Sequence, residues 1–146
     1  MWQISVWLVV TFLRPAACPV TKPVDAFVPP PPYRSYTLPG SIFFGTPKLW
    51  TLVWMNSWTA RKLVWWSPGN DQKTDSPPGL TVTFTRLDAL ASPLTTDHAN
   101  WGHIQGQPAF ITTGLSSSPG SGCWRITGRL KGEEVQYVVW VGPPKN

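Results

Sequence analysis

Between Cys123 and Val141 the chain reads Cys-Trp-Arg-Ile-Thr-Gly-Arg-Leu-Lys-Gly-Glu-Glu-Val-Gln-Tyr-Val-Val-Trp-Val. Two runs rich in β-branched and aromatic residues flank the pair Lys131-Gly132. Glycine supplies the positive φ that a tight primed turn requires, whereas lysine is a weaker first residue than Asn or Asp, so the pattern predicts a two-residue hairpin of open turn type. With those two residues in the loop, Leu130 faces Glu133, Arg129 faces Glu134, Gly128 faces Val135 and Thr127 faces Gln136. Ile126 then faces Tyr137, Arg125 faces Val138, Trp124 faces Val139 and Cys123 faces Trp140. Side chains alternate along a strand, which sorts the hairpin into two faces. Trp124, Ile126, Gly128, Val135, Tyr137 and Val139 form the predicted core face. Burying the other face would take Arg125 and Arg129 out of water with Glu134 as the carboxylate opposite them. A slip of one residue reverses the assignment, so the register is a sharp expectation.

The rest of the chain favours the same class. Ten Trp and 17 Pro among 146 residues suit pleated surfaces joined by punctuated loops. Lys48 to Trp54 is apolar on both faces, as in a strand covered on two sides or at a sheet edge, and Arg61 to Trp66 reads as a second strand after a turn at Asn56-Ser57. Ser67 to Gly79 is a loop. Leu80 to Arg86 alternates Leu80, Val82 and Phe84 with Thr81, Thr83 and Thr85, and a threonine row is what a solvated sheet face presents. Asp88 to Gly106 reads as a long loop with one short strand, Phe110 to Leu115 resumes β character, and Ser116 to Gly122 is a corner. Strands at this spacing predict an antiparallel β-sandwich, with no helical period and no internal repeat.

Ile4 to Leu13 has the length of a secretory hydrophobic region and is too short to span a bilayer as a helix unless flanking residues join it. Arg14-Pro15-Ala16-Ala17-Cys18 follows, in part like a bacterial lipoprotein signal: small residues precede the Cys, but Pro15 stands where Leu is usual. Met1-Trp2-Gln3 carries no positive charge, which leaves open whether the start lies upstream. The expected division is a signal segment over 1–18, a proline-rich tether over 19–45 containing Pro29 to Pro32, a sandwich over 46–142 and a tail over 143–146. The bland alternative is a buried N-terminal strand. Cys18 is thus a lipidation candidate, which would leave Cys123 unpaired. Cleavage before Cys18 without acylation permits a Cys18 to Cys123 bridge instead, worth about 4 to 5 kcal/mol in the chain-entropy model. Cys123 as a buried free thiol beside Trp140 is the third possibility.

The formal charge of +5 is scattered, and no basic run approaches a nucleic-acid stripe. Asp97, His98 and His103 are weak metal-ligand candidates whose spacing matches no established site. Ser116, Ser117 and Ser118, with Asp88, Asp97 and His98, supply the residue types of a hydrolase but no nucleophile elbow. Glu133 and Glu134 point to opposite faces, poorly placed as a catalytic pair. Exposed tryptophans in a sandwich can stack on sugar rings. Trp54, Trp58 and Trp101, at strand ends or in loops, are the ligand-binding candidates, against the plainer reading that these rings fill the core.

The pattern Lys48-Leu49-Trp50, Trp65-Trp66, Arg86-Leu87-Asp88, Pro93-Leu94 and Gly122-Cys123-Trp124-Arg125-Ile126-Thr127-Gly128-Arg129 resembles a group of uncharacterised bacterial exported and lipoprotein-like proteins. The approach Pro119-Gly120-x-Gly122-Cys123-Trp124 also looks like the last two strands of immunoglobulin-like sandwiches. The resemblance, over about Thr46 to Val141, implies an immunoglobulin-like fold and an exported address. It implies no activity, and the outward Cys123 departs from the inward cysteine of antibody domains. The expected function is a non-catalytic interaction or structural module at the cell envelope, without a cofactor. Its expected partners are an envelope protein or a glycan, with the membrane reached through a lipid anchor if Cys18 is acylated, and no nucleic acid. A carbohydrate-binding sandwich is the alternative, and a small hydrolase or metal-binding protein the third.

Overall fold

The computed structural model describes residues 18–22, 25–33, 41–54, 62–104, 106–113 and 121–141. Among the described residues nine strands run in order: β1 (Ser41–Thr46), β2 (Leu49–Trp54), β3 (Lys62–Trp66), β4 (Thr81–Arg86), β5 (Leu94–Thr96), β6 (Asn100–Ile104), β7 (Gln107–Thr113), β8 (Gly122–Leu130) and β9 (Glu133–Val141). They form a five-stranded sheet, β1-β2-β3-β7-β6, and a four-stranded sheet, β5-β4-β8-β9. Every pairing is antiparallel.

The hairpin has the register expected from its turn, from Leu130 opposite Glu133 to Gly122 opposite Val141. Lys131 and Gly132 adopt φ of 47° and 82°, the two positive values of a type I′ turn, whose twist matches that of the flanking strands. Trp124, Ile126, Leu130, Val135, Tyr137, Val139 and Val141 enter the main core with Val82 and Phe84. The facing sheet contributes Phe44, Leu49, Val53, Leu63, Trp65 and Phe110. Contact between the sheets is aromatic: Phe44 stacks on Tyr137 with centroids 5.5 Å apart, and Trp65 lies 6.4 Å from the same ring. Trp65 also covers Gly128, where an added Cβ would come within 2.5 Å of the indole carbons. That contact explains a glycine in mid-strand.

The five-stranded sheet carries a second apolar layer on its outer face. Phe43, Trp50, Leu52, Val64, Trp66 and Ala109 are buried there, with Phe27, Tyr33 and Ile104 packed against them. The two-sided hydrophobicity of Lys48 to Trp54 therefore reflects a strand covered on both faces. Phe27 and Tyr33 meet Trp50 at 5.5 and 5.1 Å between ring centroids.

Those two rings belong to a stretch expected to be a free tether, and the structure corrects that boundary. β1 itself lies within 19–45. Residues 18–22 and 25–33 form a strap along the side of the sandwich: Thr21 N donates to Val138 O at 3.0 Å, Val138 N donates to Thr21 Oγ1 at 2.8 Å, and Phe27 N donates to Phe43 O at 2.7 Å. The strap thus joins outermost strands of both sheets and covers backbone groups that a bare edge would present to other chains. Nor is the proline run a straight stalk, because Tyr33 N donates back to Pro30 O at 3.0 Å. A second correction concerns Asp88 to Gly106, where β5 and β6 replace the single short strand expected. β6 pairs with β7 across a turn at Gly106, whose φ is 79°. The signal segment ahead of Cys18, the tail over 143–146 and the turn at Asn56-Ser57 lie outside the described residues.

Candidate ligand-binding face

Alternation along β4, β8 and β9 turns Thr81, Thr83, Thr85, Cys123, Arg125, Thr127, Arg129, Glu134, Gln136, Val138 and Trp140 away from the core, onto the outer face of the four-stranded sheet. Neighbouring polar side chains there hold one another. Gln136 Nε2 donates to Thr127 Oγ1 at 3.2 Å, Thr83 and Thr95 hydroxyls meet at 3.2 Å, and Arg129 Nε donates to Glu134 Oε2 at 2.7 Å. Arg125, flanked by Thr85 and Val138, has no carboxylate partner among the described residues. Trp140 is 54% exposed, the one aromatic among the exposed large hydrophobic side chains described.

Directly opposite Trp140 is Cys123, bonded to Cys18 across 105 residues of sequence. Both cysteines are thereby accounted for, and a sulfur in a disulfide cannot simultaneously carry a thioether-linked lipid. Bridged and acylated forms of Cys18 exclude each other, and the structure has the bridged one. Cys123 is an outward residue yet only 2% exposed, because the strap lies over it. The bridge ties the strap to the outside of β8, whereas the disulfide of antibody domains crosses between sheets.

Trp101, one of the three tryptophans picked out from the sequence, is half-buried: its ring packs edge-on against Phe110 at 4.6 Å and its Nε1 donates to Asp75 O at 3.0 Å. It holds the 67–79 loop against the sandwich. Trp54 ends β2 opposite Ser41, and Trp58 lies outside the described residues. Trp140 is inconspicuous in the sequence because it sits in the hairpin's most apolar end. The signal that locates it is the same alternation that separates the two faces.

The histidine-bearing loop gathers no ligand set. Asp97 and His98 touch each other at 3.3 Å but their side chains are 73% and 91% exposed. No group of three His, Cys, Asp or Glu residues among those described could hold a metal ion. Ser116, Ser117 and Ser118 fall outside the described residues. Asp88 is taken up otherwise. Arg86 Nε donates to Asp88 Oδ1 at 2.8 Å, and this guanidinium hydrogen bond holds the Asp88 carboxyl below its ordinary pKa, helped by the backbone of Cys123. The same guanidinium lies 5.5 Å from the Trp124 ring centroid and rests on Gly122, where a Cβ would come within 2.6 Å of it. At the hairpin turn an open depression of about 290 Å³ is lined by Gly79, Thr81, Arg129 and Glu134, with Lys131 anchored to Asp75 at 3.1 Å nearby.

In the interior, Tyr137 is fully enclosed, and desolvation pushes its phenol well above the ordinary value. It lies beside Thr51, whose hydroxyl donates to Val64 O at 2.8 Å, and its own hydroxyl finds no well-aligned partner among the described residues. It remains a neutral packing ring.

No protein-family model, no curated protein and no solved structure matches this chain.

Proposed function

We propose that this protein is a non-catalytic, exported interaction module of immunoglobulin-like build, working at the cell envelope. One observation carries the reading: the Cys18–Cys123 bridge ties the first described residue to the central hairpin. Disulfides persist in oxidising compartments, and one that uses both cysteines of a chain fits a domain that functions outside the cytoplasm. The apolar Ile4 to Leu13 run ahead of Cys18 supports the same address. The bridged Cys18 favours an unlipidated form, so attachment to the envelope would come through a bound partner.

The test is fractionation of the chain expressed in a bacterium with its own first 17 residues. Recovery outside the cytoplasm with no reactive thiol is the expected result, and deletion of residues 1–17 should leave a reduced cytoplasmic chain. Retention of the unmodified chain in the cytoplasm with both thiols reactive contradicts the proposal.

A second reading, binding of carbohydrate, is favoured by a specific feature: a half-exposed Trp140 on an outer sheet face that carries Arg125 diagonally beside it and the Thr127–Gln136 pair beyond. On this reading Trp140 is the aromatic platform of the described residues.

A further inference from the structure

We infer that the outer face of the four-stranded sheet binds acidic glycans, stacking a uronate-type sugar ring on Trp140 while Arg125 takes its carboxylate. The inference deepens the carbohydrate reading above and rests on it.

Trp140 offers an exposed ring, and an indole face suits the C–H face of a pyranose. Arg125 pairs with Val138, and Trp140 with Cys123, so Arg125 and Trp140 are diagonal neighbours on one face, with Cα atoms about 7–8 Å apart. Arg125 is the cation of this face left without a carboxylate among the described residues, whereas Arg129 is engaged by Glu134. A planar guanidinium takes a carboxylate through two parallel hydrogen bonds, which a neutral sugar would leave unused. Thr85 flanks Arg125 from β4, and Gln136, held by its bond to Thr127, lies four residues from Trp140 along β9, so hydroxyl-reading groups lie on the far side of the charge from the ring.

Charge complementarity selects the occupant. Glu134 is the acidic side chain of β8 and β9 on this face and is already paired, and the sequence, +5 as a whole, keeps +4 once Arg14 is removed with residues 1–17. An acidic polymer is therefore attracted over distance and meets no unpaired like charge at contact. The face is also held in place: the disulfide fixes Cys123 opposite Trp140, and Thr21 clamps Val138 through both of its backbone-directed bonds. Side chains ordered before binding lose less freedom on binding.

The competing role for Trp140 is to shield the disulfide. The two roles separate in titrations of the full, disulfide-bonded chain with polygalacturonate, with neutral β-1,4-galactan and with phosphatidylglycerol vesicles. Polygalacturonate is expected to bind, weakening with salt; Trp140→Ala should lower affinity at least tenfold, and Arg125→Gln should lower it at least fivefold while leaving the melting temperature unchanged. Lys48→Gln removes one charge from a side chain that is 79% exposed near β1, and should change affinity less than twofold. Equal binding of galactan and polygalacturonate overturns the acidic assignment and leaves the carbohydrate reading standing. Binding of neither polymer overturns both, as does binding to vesicles alone. A loss in Lys48→Gln equal to that in Arg125→Gln overturns the role given to Arg125, because net charge would then account for the attraction.

Discussion

Trp124 and Thr127 are three residues apart on one strand and answer to opposite surroundings. Trp124 is 1% exposed in the main core, while Thr127, 4% exposed, lies on the opposite face under Gln136, whose amide donates to its hydroxyl. Trp124→Ala should cost about 3 to 5 kcal/mol in denaturant unfolding and Thr127→Ala about 1 kcal/mol or less. The reverse order would mean that the register is wrong. Asp88 is a residue whose role is electrostatic. Its folded pKa is depressed below the ordinary 3.8 by Arg86, so its contribution is present above that value and is lost as pH falls through the folded pKa. Asp75, lowered by a backbone hydrogen bond from Asp71 and by Lys131, acts in the same direction. Melting temperature should therefore fall on acidification below about pH 4, and Asp88→Asn should flatten part of that limb relative to the parent chain.

Among the elements, the hairpin was readable because local chemistry alone specifies it: a two-residue loop and strict alternation determine nine pairings. The threonine row of β4 was readable for the same reason, and Val82 and Phe84 are buried as alternation requires. Strap and β6 were not, because their reasons are non-local. Phe27 and Tyr33 pack where they do on account of Trp50, twenty-three and seventeen residues onward, and nothing in Pro29 to Pro32 announces that contact. β6 is short, contains Gly102, and takes its conformation from β7 beside it. Of the candidate site, the face was readable from alternation but the exposure of Trp140 was not, since exposure depends on what the strap leaves uncovered. The strap also gives the disulfide its energetic meaning. Closing a loop of 105 residues restrains the unfolded chain by about 4 to 5 kcal/mol in the entropy model. Replacing both cysteines by alanine should lower stability by an amount of that order in denaturant melts, and an unchanged midpoint would show that the strap stays docked without the bridge.

At the scale of the whole molecule, two sheets share one aromatic core, the outer face of the five-stranded sheet is buried under a second apolar layer, and the outer face of the four-stranded sheet presents polar side chains. The strap runs from the outer face of the five-stranded sheet, where Phe27 and Tyr33 pack, to Cys123 on the outside of β8, and Trp140 beside that bridge stays exposed. We propose that the molecule works outside the cytoplasm, closed by its own two cysteines. Intact mass with thiol labelling, on protein expressed in a bacterium with its own N-terminal segment, tests that claim most directly. A processed, unacylated species that takes up no label until it is reduced is the expected result. A species starting at an acylated Cys18, with Cys123 labelled without reduction, would contradict it.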